Sequence, residues 1–317
     1  MRELFRPLLP NFPLLHQGKT RDTYVFPYAI GATANEELLL VHATDSISTH
    51  DIVHESTIPL KGQVLTALTV FWFMHVLRKS DLPNHMIAYG SRIYDYLPDK
   101  YEPYPKDLHL SAIVVRKLDI IPVEFIFRSY LAGSLYREFY IKGEPDPYGL
   151  NLPPGLPKMR RFDDLVFTPT KKSDEEHDPP LRADAVEKEH PIPYALSRHA
   201  YKKMREYLNV RGLALVDSKF EVGVDRKNGK SYLADEVATP DSSRFARTDL
   251  ITEGEDPPWL DKQIARDEAE RRWREGEPRG PLTFHPFTVS RLADVYKDVF
   301  KRITGMSLAA FQQEHMQ

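Results

Sequence analysis

Apolar residues in this chain fall into short runs broken by polar clusters, and the period of each run points to a different element. Residues 38–43, Leu-Leu-Leu-Val-His-Ala, lie between Asn-Glu-Glu and Thr-Asp-Ser, the pattern of a buried strand. Runs rich in Val, Ile and Phe at 111–118 and 123–130 predict two more strands, expected to be neighbours because only Asp119-Ile-Ile-Pro122 separates them. Between the first strand and these two, Val64, Leu68, Phe71, Met74 or His75 and Leu77 recur at helical spacing, and Arg78-Lys79 complement the helix dipole. A packed helix is predicted over 63–79.

The stretch 144–195 breaks this regularity. It holds 10 of the chain's 26 prolines, which predicts a long irregular excursion. Helix returns at 196–209, followed by a strand at 213–224, a turn at Lys227-Asn228-Gly229 and a strand at 231–237. Helices at 259–273 and 289–304 close the chain, the second stopped by Gly305. Strands and helices cluster instead of alternating, so the expected class is α+β.

Composition narrows the function. The chain has 317 residues, 41% hydrophobic and 28% charged, with a mean hydropathy of -0.46, values of a globular protein with room for two lobes. The apolar stretch 64–77 is shorter than the roughly 20 apolar residues of a membrane span, and no secretory signal is seen, so a cytoplasmic location is expected. With no cysteine there is no thiolate nucleophile and no Cys-held metal, so a metal must be held by oxygen or imidazole. A formal charge of -3 argues against a protein built around nucleic acid.

The most informative segment is Leu215-Val-Asp217-Ser-Lys219-Phe-Glu221. On a strand, Asp217, Lys219 and Glu221 share one face while Val216 and Phe220 point to the core. Taken alone, this reads equally as a solvated strand face. The return strand, with Asp235 and Glu236, changes the balance. A three-residue loop at Lys227-Asn228-Gly229 pairs Arg226 with Lys230 and sets Glu221 opposite Asp235; a two-residue loop puts Asp235 on the other face. In the three-residue register the two carboxylates form an oxygen pair suited to Mg²⁺.

Further candidates suit anions. Thr239-Pro-Asp-Ser-Ser243-Arg244 carries hydroxyls and a guanidinium, a set matched to phosphate or carboxylate, or else an ordinary proline turn. Arg128 ends an apolar strand shortly before Ser134, at a strand-to-helix junction where Ser134 reads as an anion ligand or as a cap. Gly18-Lys19-Thr-Arg21 is too short for a Walker A motif, and His177-Asp178 lies in the proline-rich stretch, where a His-Asp pair is commonly solvated. No HExxH, GxSxG or GxGxxG occurs. The residues alone point to a Mg²⁺-nucleotide enzyme with a second, anionic substrate.

Seven stretches in order resemble one family, phosphoribosylaminoimidazole-succinocarboxamide synthase (SAICAR synthetase). They are Gly18-Lys-Thr-Arg-Asp-Thr-Tyr24; Ala43-Thr-Asp-Ser-Ile-Ser48; Ile58-Pro-Leu-Lys-Gly62 with Phe71-Trp-Phe73; Val123-Glu through Arg128 to Ala132-Gly-Ser134; Phe167-Thr-Pro-Thr-Lys171 with Glu176-His-Asp178; Asp217-Ser-Lys-Phe-Glu221; and Asp235 through Arg244. The resemblance implies a two-lobed α+β fold related to ATP-grasp and protein-kinase nucleotide-binding architectures. A mostly β lobe with one long helix over 1–119 would serve the nucleotide phosphates, and an α+β lobe over 120–317 would carry the metal and ribonucleotide sites of one catalytic unit. It implies a ligase that uses ATP and Mg²⁺ to join the ribonucleotide carboxylate CAIR to L-aspartate, with no nucleic-acid or membrane partner.

By the same resemblance, Lys19 lies beside the ATP phosphates, Lys219 and Glu221 serve the nucleotide, and Glu221 and Asp235 hold Mg²⁺. Arg128, Ser134, Asp217, Ser243 and Arg244 hold the ribonucleotide, joined by Arg266 and His177. The aspartate amine must lose a proton before attack, and Asp178 is the candidate base; the residue pattern itself names none. Two departures stand out: Ser46 replaces an arginine common in the family, and Pro179-Pro180 follow the His-Asp pair where an acidic residue is common. The Ser46 change keeps open another ATP-dependent carboxylate–amine ligase on the same scaffold. A non-catalytic nucleotide-binding paralogue is the third reading, opposed by the retained carboxylates.

Overall fold

The computed structural model describes residues 8–9, 11–26, 37–143, 146–172 and 179–317. In chain order its strands are β1 (Leu14–Gln17), β2 (Arg21–Val25), β3 (Leu38–Ala43), β4 (Ser46–Thr49), β5 (Ile52–Thr57), β6 (Met86–Tyr89), β7 (Ala112–Arg116), β8 (Asp119–Ile120), β9 (Val123–Tyr130), β10 (Arg161–Phe167), β11 (Thr170–Lys171), β12 (Leu213–Val224), β13 (Ser231–Ala234) and β14 (Ser243–Arg247). The α-helices are α1 (Lys61–Phe71), α2 (Leu108–Ser111), α3 (Gly133–Tyr136), α4 (Ala183–Glu189), α5 (Pro191–Asn209), α6 (Gln263–Arg274), α7 (Pro286–Thr304) and α8 (Leu308–His315). The chain forms two compact units, one of Met1–Phe71, His85–Lys117 and Lys262–Gln317, the other of Trp72–Asn84 and Leu118–Asp261. Among the described residues no helix is long and apolar enough to cross a membrane.

The first unit is built on a five-stranded antiparallel sheet in the order β1-β2-β3-β7-β6, with a separate β4-β5 hairpin. Leu38 and Leu40 of β3 are buried with Tyr24 and Val114 from the flanking strands, and Phe12, Ile93 and Leu108 complete that core. α1 is apolar almost all round and buried along its length, as a helix inside a core must be. Its first turn is capped from a distance: the Asp45 carboxylate accepts the Gly62 N–H at 2.8 Å and the Leu60 N–H at 3.3 Å. Gly62 is required there, because a β-carbon would stand 2.2 Å from the Ala43 carbonyl oxygen.

The second unit is organised by β12, twelve residues long and buried on both faces. β14 pairs with its first half, β9 with its middle, β13 and β8 with its second half, and β10 and β11 extend the sheet beyond β9. α5 packs a stripe of Leu196, Ala200, Tyr201, Met204 and Leu208 on this sheet, each large apolar side chain contributing roughly 1.5–3 kcal/mol. The Tyr201 hydroxyl donates to Leu215 O at 2.7 Å, and burial raises the phenol's pKa well above its usual range.

Several expectations change. The strands near 111–118 and 123–130 are not neighbours: β7 belongs to the five-stranded sheet and β9 to the other, while β8 between them pairs with Gly223 and Val224. An apolar run shows that a strand is buried, not which strand it pairs with, so proximity along the chain misleads here. The expected helix over 63–79 is α1, then a π-helical stretch, Trp72–Val76, and a 3₁₀ turn, Leu77–Ser80. Within 144–195 the described part carries β10, β11 and α4, because the prolines sit mainly between elements. β14 and α8 lie where no element was expected. Gly305 ends α7 in the left-handed conformation (φ 79°), as its position predicts.

Candidate active site

Three strands of the second unit place charged residues in one lateral row. Asp217 of β12 is paired with Arg128 of β9 on one side and Arg244 of β14 on the other. Arg128 Nη1 donates to Asp217 Oδ2 at 2.8 Å, and Arg244 Nη1 to the same oxygen at 2.6 Å. Arg128 also donates to the hydroxyls of Thr168 (2.9 Å) and Ser134 (3.2 Å). Two guanidiniums thus share one carboxylate oxygen where Arg128 and Asp217 are almost wholly buried. Burial pulls the Arg128 pKa down against the pull of Asp217; for Arg244 burial is outweighed, chiefly by Asp217 and then Asp261, and the shift is upward.

Backbone geometry supports this row. Gly133 has φ 60°, and a β-carbon on it would lie 2.6 Å from the Arg244 guanidinium. One position along, the Ser243 hydroxyl donates to Ser218 Oγ at 2.8 Å, both buried. Thr239 and Glu236 are hydrogen-bonded to each other, and Ala238 O accepts the Trp72 indole N–H at 2.9 Å, so the segment between β13 and β14 is tied down.

Farther along the same face of β12, Lys219 Nζ lies 2.5 Å from Glu124 Oε1 of β9, whose other oxygen accepts Thr170 Oγ1 at 2.8 Å. Burial opposes the charged form of Lys219, but Glu124, then Glu221 and Asp235, outweigh it, so its pKa is raised. Lys172 Nζ stands 2.6 Å from Glu221 Oε2.

The register of β12 and β13 differs from the expected one: Glu221 pairs with Ala234, not Asp235. Asp225 is the reason. Its backbone N–H bonds Lys230 O at 3.0 Å, and its carboxylate accepts the Lys227 N–H at 2.8 Å and the Asn228 amide at 3.1 Å, closing a four-residue loop with Gly229 left-handed. A one-residue slip would turn Asp235 to the other face, but β13 stops at Ala234 and Asp235 itself is left-handed (φ 55°), which breaks the alternation.

Among the described residues no group of three or more His, Asp or Glu side chains is gathered for a metal. Mg²⁺ needs no such group, since one or two carboxylates suffice when substrate phosphates complete its shell. Glu221 and Asp235 have that chemistry, and Glu221 already receives a cation from Lys172.

Other expected residues lie in the first unit. Lys19 is on the β1–β2 turn, closed by a bond from Gly18 N–H to Arg21 O at 2.7 Å, and its ammonium lies 2.5 Å from Asp51 Oδ1. Arg266 is on α6, where it donates to Gln263 Oε1 at 3.2 Å. His177 and Asp178 lie outside the described residues. Ser46 N–H donates to Thr44 Oγ1 at 3.3 Å in the turn before β4.

Sequence reasoning missed Glu124, Thr168, Thr170 and Lys172. For Glu124 a signal existed, since Glu124, Ile126 and Arg128 alternate along one strand face. It also passed over the four-residue spacing of His50 and His54, which spans the β4–β5 hairpin instead of a helical turn.

A family model described as SAICAR synthetase matches residues 14–279. A phosphoribosylaminoimidazole-succinocarboxamide synthase of Saccharomyces cerevisiae is 38% identical over 265 residues, covering 80% of this chain and 83% of that protein. One of Stenotrophomonas maltophilia is 35% identical over 312 residues, covering 95% and 96%. The solved structure of a Saccharomyces cerevisiae SAICAR synthase complexed with SAICAR superposes with a TM-score of 0.78 at 33% identity, covering 93% and 96% of the two chains. Each of these matches covers four-fifths or more of the chain, and the chain belongs to the SAICAR synthetase family.

Proposed function

We propose that this chain is an ATP-dependent ligase that joins CAIR to L-aspartate, giving SAICAR, ADP and phosphate in purine biosynthesis. The observation that carries the reading is the row Arg128, Asp217 and Arg244, two guanidiniums on one buried carboxylate with the hydroxyls of Ser134, Thr168 and Ser243 nearby. Such a set suits a ribonucleotide's phosphate or carboxylate, and a relative 33% identical in sequence was solved with SAICAR bound.

In this reading Arg128, Ser134, Asp217, Ser243 and Arg244 hold the ribonucleotide, with Arg266 and His177 on the substrate side. Lys19 and Lys219 serve the ATP phosphates together with Glu221. Glu221 and Asp235 would hold Mg²⁺, which when bound supplies charge neutralisation for the phosphates. The CAIR carboxylate is a poor electrophile. Its oxygen attacks the γ-phosphorus, ADP departs, and the aspartate amine then displaces phosphate from the acyl carbon, forming the amide. The lysines stabilise charge on the transferring group, and Asp178 is assigned the amine proton. A kinship of the fold with ATP-grasp and protein-kinase architectures and a cytoplasmic location belong to the same reading.

The test is ADP release with Mg²⁺, ATP and CAIR, with and without L-aspartate, followed beside SAICAR absorbance. Aspartate-dependent ADP release matched by SAICAR is expected. ATP binding without turnover on these substrates would point to another acceptor or to a non-catalytic nucleotide-binding protein.

A further inference from the structure

The ion pair between Lys19 and Asp51 is exposed, with 53% and 43% of the two side chains accessible, so it adds little to stability. The chain nevertheless accepts an unfavourable backbone to place Asp51. Thr49 pairs with Ile52 across the β4–β5 hairpin, leaving a two-residue loop in which His50 and Asp51 both have positive φ, 50° and 64°. That is the pattern of a type I′ turn, which favours Asn or Asp followed by Gly because a β-carbon disfavours left-handed backbone. Glycine at position 51 would relax the turn and remove the carboxylate. The tip is held on its other side as well, with His50 Nε2 at 3.1 Å from Glu270 Oε1 of α6. Strain at a hairpin tip whose two side chains are both engaged marks a position kept for what the side chain does.

We infer that Asp51 is a positioning residue for Lys19, holding its ammonium in place so that a nucleotide phosphate meets a cation already ordered. This rests on the reading of Lys19 as a phosphate ligand. A lysine side chain left free must be ordered at the moment of binding, which weakens affinity by roughly 2- to 10-fold. Asp51 removes that cost, because the fixed turn fixes the carboxylate and the carboxylate fixes the ammonium.

The experiment is calorimetric ATP binding to the full chain as Asp51→Asn, Lys19→Met and the double variant, with kcat and KM for ATP measured beside it. Asparagine tolerates left-handed backbone, so the hairpin keeps its shape. Asp51→Asn is expected to weaken ATP binding by roughly 2- to 10-fold and raise KM to match, with kcat changed by less than about 2-fold. In the Lys19→Met background it is expected to cost nothing more. An equal loss in both backgrounds, unchanged affinity, or tighter binding from relief of charge repulsion would each overturn the inference. If Lys19→Met alone leaves ATP affinity unchanged, the reading of Lys19 itself falls, and that result needs no Asp51 variant to be seen.

Discussion

Arg128 and Arg244 reach the same oxygen atom, Asp217 Oδ2, from two strands that flank β12 on opposite sides. Neutralising the carboxylate strands two guanidiniums, one of them almost wholly buried. Asp217→Asn is expected to lower the unfolding free energy of the ligand-free chain by roughly 3–5 kcal/mol. Urea denaturation measures this, and a loss below about 1 kcal/mol would mean that the row is solvated like a surface pair.

Asp235 differs because it is only partly buried and stands just past a strand end in left-handed backbone, which asparagine also tolerates. Asp235→Asn should therefore keep the fold while cutting turnover by at least about 100-fold, the scale of losing one electrostatic contact to a reacting group. Circular dichroism and steady-state rates separate the two effects. Chelation should likewise abolish turnover reversibly with the fold unchanged, and activity that survives either treatment would sink the metal assignment.

The difference between these two acids shows what the chain makes legible. The bounds of β12 are readable because Leu213 through Val224 are apolar or alternating throughout, and the row partners Arg128 and Arg244 are visible as charges beside apolar runs. Register is not readable, because it depends on whether Asp225 turns its carboxylate onto the loop or stays in the ladder. Nor does the sequence show that Lys172 reaches Glu221, a contact between residues far apart in the chain. Asp51 escapes notice for the same reason, since its importance lies in a φ angle and a distant lysine.

Gly133 offers a test of steric tolerance beside the arginine row. Alanine there would meet left-handed strain and a β-carbon 2.6 Å from Arg244. Gly133→Ala is expected to destabilise the chain by roughly 1–2 kcal/mol and to raise KM for the ribonucleotide more than it lowers kcat. If KM is unaffected, Arg244 can move aside without consequence for binding.

The pH dependence of stability should carry the mark of His54, which is fully buried on β5. Leu282 N–H donates to its Nδ1 at 3.2 Å, so that nitrogen is unprotonated, and Nε2–H donates to Thr49 Oγ1 at 2.7 Å. Burial first, then the charges of His50 and Arg272, push its pKa down from 6.5 to about 4, with Glu268 opposing and Lys262 assisting. The folded state thus binds the proton less readily than the unfolded state. The stabilisation is fully present above pH 6.5 and is lost as the pH falls toward 4, by an amount of roughly 3 kcal/mol. His42, also buried and pushed down to about 4, adds a similar term that stays constant when only His54 is changed. His54→Gln should therefore flatten the fall in unfolding free energy between pH 6.5 and 4, by up to about 1.4 kcal/mol per pH unit. Denaturation curves across that range would show parallel slopes for the two proteins if His54 protonates as easily folded as unfolded.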